Sequence, residues 1–310
     1  MINLFISDIS KYVGKNKLDN ITNAKELNYP VNSLINKIGF KNIREEKMSN
    51  SSSFFGIKAL RKLIKKNKNL KNKIEVLIVV TQNPDNFGIP HTSSIIHKEL
   101  NLNEKIACFD IGLGCSGYVY SLSIIKSFMI SNKMKCGVLI TSDQYSNILQ
   151  KNDSNKMLFG DGATATLIEN KGVYNICNFS FGTVSVNNNA LIKDHNNILS
   201  MDGRKIFNFT NETIPSNIKS FLYKNKIKIN EIDLFLCHQG SKIVIDTLKK
   251  SLKLNDKRLP FVATKIGNTI SSTIPFLLYN YIQKSEFKKI IICGFGVGLS
   301  WGISLLERND

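Results

Sequence analysis

"DIGLGCSGYVYSLSIIKSFM", residues 110–129, decides how the rest of the chain is read. An apolar run ends in Gly112 and Gly114 around a leucine. Cys115, Ser116 and Gly117 follow, and the chain then turns amphipathic. The pattern predicts a strand that hands over to a helix across a tight turn, with Cys115 at the helix start. A cysteine there is either a small core residue or a nucleophile. Free backbone N–H groups and the positive end of the helix dipole lower a thiol's pKa. The same N–H groups can hold the oxyanion formed when a thioester carbonyl is attacked. Gly112, Gly114 and Gly117 allow close approach of backbone and substrate.

Working outward, "KIEVLIVVTQ" (73–82), "IACFDIGL" (106–113) and "KCGVLITSDQ" (135–144) read as strands, and "GATATLIE" (162–169) alternates as a fourth. The same order returns later. "IDLFLCHQG" (232–240) is strand-like and leads into a helix through "SKIVIDTLKKSL". "FVATKIGNTISSTIPFLLYNYIQKS" (261–285) predicts a strand and then a helix past the Asn-Thr. "KKIIICGFGVGLSWGISLLE" (288–307) predicts a strand, a glycine-rich turn and a returning strand. Matching orders imply an internal duplication of α/β halves, each a mixed sheet faced by helices. The join falls around "ENKGVY", giving halves 1–172 and 173–310, with no glycine- or proline-rich linker between them.

The 310 residues are enough for one large body with a substantial core, and 42% hydrophobic with 21% charged residues is ordinary for a soluble globular protein. The opening "MINLFISDISKYVGKN" reads as no signal peptide, and no apolar run reaches a membrane span. None of the six cysteines forms a CxxC pair, which suits reduced thiols in a cytoplasmic protein and gives no metal site. Net charge is +18, yet the lysines are dispersed and no nucleic-acid-binding motif accompanies them. The densest run, "KALRKLIKKNKNLKNK" (58–73), reads as an amphipathic helix with a basic solvent face.

Three further stretches carry candidate chemistry. His238 ends an apolar strand in "LFLCHQGS", where sites assemble in open α/β sheets, although a strand-end histidine also serves as a satisfied structural residue. Asn268, in "KIGNTISSTIP", either caps the following helix or turns its amide toward a site. "GFGVGLSWG" (294–302) is a tight hairpin or a carrier of a backbone amide, and Asp161 in "FGDGATA" reads as structural. The glycine stretches match neither nucleotide-binding pattern. His91, His97 and His195 read as surface residues.

Together, "DIGLGCSGYVYSLSI", "FGDGATA", "CHQGSK", "GNTISSTIP" and "GFGVGLSWG" resemble, in their order, the β-ketoacyl-acyl-carrier-protein synthase III family of the thiolase superfamily. The likeness runs from "KIGFKNIREEK" (37–47) to the last strand. It implies a thiolase-like α/β fold with duplicated halves in a layered αβαβα arrangement of mixed sheets, and a homodimer. It implies a Cys115–His238–Asn268 triad and an oxyanion hole from the N–H groups of Cys115 and Val297. By the same likeness, Phe87, Ile89 and Phe207 bind the acyl chain, the first two from a loop reaching across the dimer. The implied reaction needs no bound cofactor. An acyl thioester of coenzyme A or acyl carrier protein loads the cysteine, and malonyl-acyl-carrier-protein then condenses with it, losing carbon dioxide. An acyltransferase of the same fold, moving the acyl group to an alcohol or amine, is the alternative. The partner is an acidic carrier protein, with Lys242, Lys249, Arg204 and Lys205 as docking candidates; no nucleic acid or membrane is expected. Three departures stand out: "HQGS" where the family has "HQAN", Val297 in place of a glycine, and no early tryptophan, the only one being Trp301. Val297 implies a less permissive backbone, and the missing tryptophan leaves the donor carrier open.

Overall fold

The computed structural model describes residues 3–46, 52–150 and 152–309; Lys47, the end of the first family-like stretch, lies outside them. Nine strands carry the architecture: β1 (Phe5–Val13), β2 (Val76–Val80), β3 (Ala107–Ile111), β4 (Cys136–Asp143), β5 (Gly162–Glu169), β6 (Tyr174–Thr183), β7 (Leu234–Cys237), β8 (Lys289–Gly296) and β9 (Ser300–Arg308). Six helices pack on them: α1 (Ser52–Lys66), α2 (Thr92–Glu99), α3 (Gly117–Ser131), α4 (Gly203–Lys224), α5 (Lys242–Leu252) and α6 (Thr273–Tyr281).

The strand order is β7-β8-β9-β6-β1-β5-β4-β2-β3. From the centre outward, β1-β5-β4-β2 and β6-β9-β8-β7 repeat one another, with the same mix of parallel and antiparallel neighbours. The two halves are hydrogen-bonded into one sheet by a short seam: Phe5 and Ile6 pair with Asn175 and Tyr174, and Ile176 N donates to Leu4 O beside them. So narrow a seam lets the sheet fold over, and the side chains show that it does. Val76, Ile78 and Val80 of β2 share one core with Leu234 and Leu236 of β7 and with Ile290 and Ile292 of β8. Between them lie α3, through Tyr118, Leu122 and Ile125, and α6, through Ile274, Leu277 and Leu278. Alternate residues face outward, as strand periodicity requires. Leu77 and Val79 meet Phe55, Leu60 and Leu63 of α1 and Ile96 of α2, while Phe235 and Ile291 meet Ile218 and Phe221 of α4 and Leu248 of α5. The result is five layers, helix–sheet–helix–sheet–helix. Every residue of β2 is buried, and each such aliphatic side chain stabilises the fold by about 1.5–3 kcal/mol.

One expected strand is absent. Residues 261–266 do not pair as the counterpart of β3; Ala263–Lys265 form a single 3-10 turn instead. Pro260 removes one ladder donor, and the Gln239 side chain occupies the neighbours: its Nε2 donates to Pro260 O and its Oε1 accepts from Val262 N. The chain thereby reaches Asn268 as a pinned loop.

Candidate active site

Cys115, His238 and Asn268 come from different elements and line one cavity of about 280 Å³. Cys115 precedes Ser116, the N-cap of α3; His238 directly follows β7; Asn268 lies in the loop before α6. Phe207 of α4 lines the same cavity, with Leu158, Leu191, Met201 and Ile206 completing an apolar wall. Phe295 meets the His238 ring edge to face, 5.6 Å between centroids.

The first half holds the asparagine of the second by main chain. Asn268 N donates to Leu158 O at 2.8 Å, and Gly160 N donates to Asn268 O at 2.9 Å. A Cβ on Gly160 would lie 2.2 Å from Ile266 O, so only glycine permits this approach. Asp161, next in the chain, accepts from the backbone N–H groups of Glu46 and Ser146 and from the Ser146 hydroxyl, the structural role expected of it. The Asn268 Oδ1 accepts from Ile270 N at 2.9 Å and from the Thr273 hydroxyl at 3.3 Å. Its acceptor end therefore caps the following turn, and its amide NH₂ is the end left to donate.

Around Cys115 the backbone is tightly drawn. A Cβ on Gly296 would stand 2.9 Å from the Cys115 Sγ. The backbone N–H groups of Cys115 and Val297 favour the ionised form of the sulfur. Burial outweighs them, and the charge of Asp143 adds to burial, so the thiol is pushed up to about 12. The lowered thiol pKa expected from the helix start is thus overturned: desolvation in a closed pocket exceeds the pull of two N–H groups. Val297 is not among the residues at positive φ; Gly298 beside it, at φ +130°, takes the demanding conformation. Burial also drives His238 down to about 3, so the ring is neutral; its Nδ1 is enclosed without a hydrogen-bond partner among the described residues.

The other expected residues lie elsewhere. Phe87 and Ile89 do not touch this cavity and are 87% and 84% exposed. Lys242 and Lys249 line a neighbouring groove of about 880 Å³, and neither is a free cation. Lys242 pairs with Asp246, and Lys249 is held 2.8 Å from Asp246 and 2.5 Å from Asp256. Arg204 is exposed at the start of α4, and Lys205 lies 3.9 Å from Asp202. Lys37, an exposed residue in a lysine-rich chain, lines the cavity itself, and nothing in its local sequence marks it out. Asp143, at the end of a fully buried strand, is the other residue that sequence reasoning missed.

Comparison with known proteins identifies the family. Residues 109–185 match the family model for 3-oxoacyl-[acyl-carrier-protein] synthase III, and residues 222–308 match the model of its C-terminal part. The chain is 35% identical over 266 residues to a Campylobacter jejuni protein provisionally named 3-oxoacyl-[acyl-carrier-protein] synthase 3, covering 77% of this chain and 74% of that one. It is 27% identical to the β-ketoacyl-[acyl-carrier-protein] synthase III of Lactococcus lactis, over 97% of this chain and 98% of that one. A crystal structure of a 3-oxoacyl-(acyl-carrier-protein) synthase III superposes with a TM-score of 0.91 at 26% identity, covering 98% and 99% of the two chains. With its thiolase-like layers and its cysteine, histidine and asparagine around one cavity, the chain belongs to the 3-oxoacyl-[acyl-carrier-protein] synthase III family and is an enzyme of that type.

Proposed function

We propose that this enzyme condenses a Cys115-bound acyl group with malonyl-acyl-carrier-protein, releasing carbon dioxide and a 3-oxoacyl-acyl-carrier-protein. The reading is carried by one observation: a thiol with two backbone N–H groups at its sulfur shares a cavity with a neutral imidazole and an amide free to donate. In the first half-reaction the Cys115 sulfur attacks the thioester carbonyl, its proton goes to the departing carrier thiolate, and the N–H groups of Cys115 and Val297 hold the oxyanion. In the second, the malonyl thioester oxygen accepts from His238 and from the Asn268 amide. The electrons of the breaking carbon–carboxylate bond pass into the enolate that these donors stabilise. Neutral donors suit this step, since they add no carboxylate beside the developing charge. The enolate carbon then attacks the acyl-cysteine and displaces the thiolate, which takes a proton from water.

The halves 1–172 and 173–310 contribute the nucleophile and the enolate donors respectively. The acyl thioester comes from coenzyme A or an acyl carrier protein, no cofactor is bound, and the working form is a cytoplasmic homodimer whose 81–94 loops close the partner's acyl pocket. The test separates the half-reactions. Cys115→Ala abolishes the mass shift on incubation with an acyl thioester. His238→Ala and Asn268→Ala still acylate, but lose malonyl decarboxylation by about 10²-fold or more. Normal condensation by both variants would overturn the assignment, and acyl transfer to an alcohol without carbon dioxide release would favour the non-decarboxylating acyltransferase.

A further inference from the structure

Asp143 ends β4 with its side chain fully enclosed, and no cation among the described residues forms an ion pair with it. Hydrogen-bond donors from two directions satisfy it instead. Oδ1 accepts from Gln82 N at 2.9 Å and from the Thr81 hydroxyl at 3.3 Å; Oδ2 accepts from Ser271 N at 3.1 Å and from the Ser271 hydroxyl. The two N–H groups can only donate and favour the carboxylate, but burial outweighs them and pushes the carboxyl up to about 7.

Each anchor leads to the active site. Ser271 follows Ile270, which sits at φ +51°, a left-handed conformation that strains a β-branched residue. Such strain persists only where the surroundings over-determine it. Here Ile270 N is held by Asn268 Oδ1 on one side, and Ser271 by Asp143 on the other. Gln82 leads to the cysteine: a Cβ on Gly114 would lie 2.5 Å from its Oε1, and the Tyr145 hydroxyl donates to that same oxygen. The titratable groups facing Asp143 are Cys115, at the start of α3, and Tyr145, just past β4; burial and then the Asp143 charge raise both.

We propose that Asp143 is a positioning residue for the decarboxylating half-reaction: by holding Ser271 it clamps the strained turn that aims Asn268. The proposal rests on the role given above to Asn268.

The experiment uses the full chain and its Asp143→Asn and Ser271→Ala variants, checked for folding by circular dichroism. The rate of Cys115 alkylation by iodoacetamide is followed against pH, and malonyl decarboxylation is measured separately. In Asp143→Asn the cysteine keeps its own backbone anchors, so Cys115 alkylation should not slow. Decarboxylation should fall by about tenfold or more as Asn268 loses its aim. Ser271→Ala, which keeps the carboxylate, should lose decarboxylation with the alkylation profile in place. A purely structural Asp143 would lower alkylation and decarboxylation together, and that result overturns the proposal. So does wild-type behaviour of both variants. If Asp143→Asn does not fold, an unimpaired Ser271→Ala overturns it alone. Failure of the native enzyme to acylate Cys115 or to release carbon dioxide would instead sink the proposed function.

Discussion

At Cys115 two influences of opposite sign meet: N–H groups that favour thiolate, and burial that opposes it more strongly. Burial prevails, and the sulfur rests as a thiol. At His238 burial acts alone and leaves the ring neutral. An ordinary imidazole titrates near 6.5. We expect the His238 ring to contribute no inflection to malonyl decarboxylation by Cys115→Ala between about pH 5.5 and 7.5; burial pushes the Asp143 carboxyl up to about 7, so an inflection that a Cys115→Ala, Asp143→Asn double variant keeps would show the ring titrating.

Among the elements, the loop 158–160 and the turn after Gly267 form the junction on which the site depends, since they join Asn268 to the half that bears the cysteine. Gly160→Ala would drive its methyl into Ile266 O, a backbone atom with no rotamer to escape into. We expect a folded but less stable protein that acylates Cys115 and has lost decarboxylation by about 10²-fold, as small misplacement commonly costs. Acylation mass spectrometry beside a carbon dioxide assay checks this, and equal loss of both steps would place the damage at the cysteine. On α5, Lys249 neutralises Asp246 and Asp256 rather than waiting for a partner. Lys249→Glu would gather three carboxylates, so any rise in KM for malonyl carrier protein must be read against the melting temperature. The exposed Arg204 and Lys37 are cleaner tests of carrier docking, because neither holds the helix together; reversing either should raise that KM at low salt and leave a small thioester unaffected.

Over the whole molecule, the buried histidine sets an acid limb. Its folded pKa of about 3 lies below the unfolded value near 6.5. Between those values the unfolded chain binds the proton and the native chain does not, so stability is present above pH 6.5 and is lost as pH falls toward 3. The slope from this group approaches about 1.4 kcal/mol per pH unit. His238→Asn should remove that part of the slope. Measured by urea denaturation, the variant should gain on the native chain steadily from pH 6.5 to 4; parallel curves would show a ring already protonated in the fold. Phe87, at φ +58°, and Ile89 stand out from this chain as exposed apolar side chains. Ile89→Phe should shift acylation toward shorter chains if the loop closes a partner's pocket, and an unchanged profile across a thioester series would exclude it.

Periodicity made eleven of these elements readable from residues alone. Fully apolar runs such as 76–80 can satisfy themselves only inside a sheet, and the glycines around Cys115 announce a turn into a helix. The repeated order of strands was likewise legible, because each half must bury the same pattern of faces. The triad was legible only as three separate residues whose alternatives stayed open until five motifs were read together. What sequence could not supply was anything summed over distant neighbours. Whether Cys115 is acidified or suppressed depends on how completely the pocket excludes water. The fate of residues 261–266 depended on a glutamine 21 or more positions away that took the ladder's place. Lys249 looked free until the turn after α5 returned Asp256 to it. Asp143 looked like one more strand-end residue, since its four donors come from residues 81–82 and 271. Local pattern fixes which face of an element is apolar; desolvation, charge pairing and hydrogen-bond closure are sums over space, and only the folded chain decides what stands within a few ångströms of what.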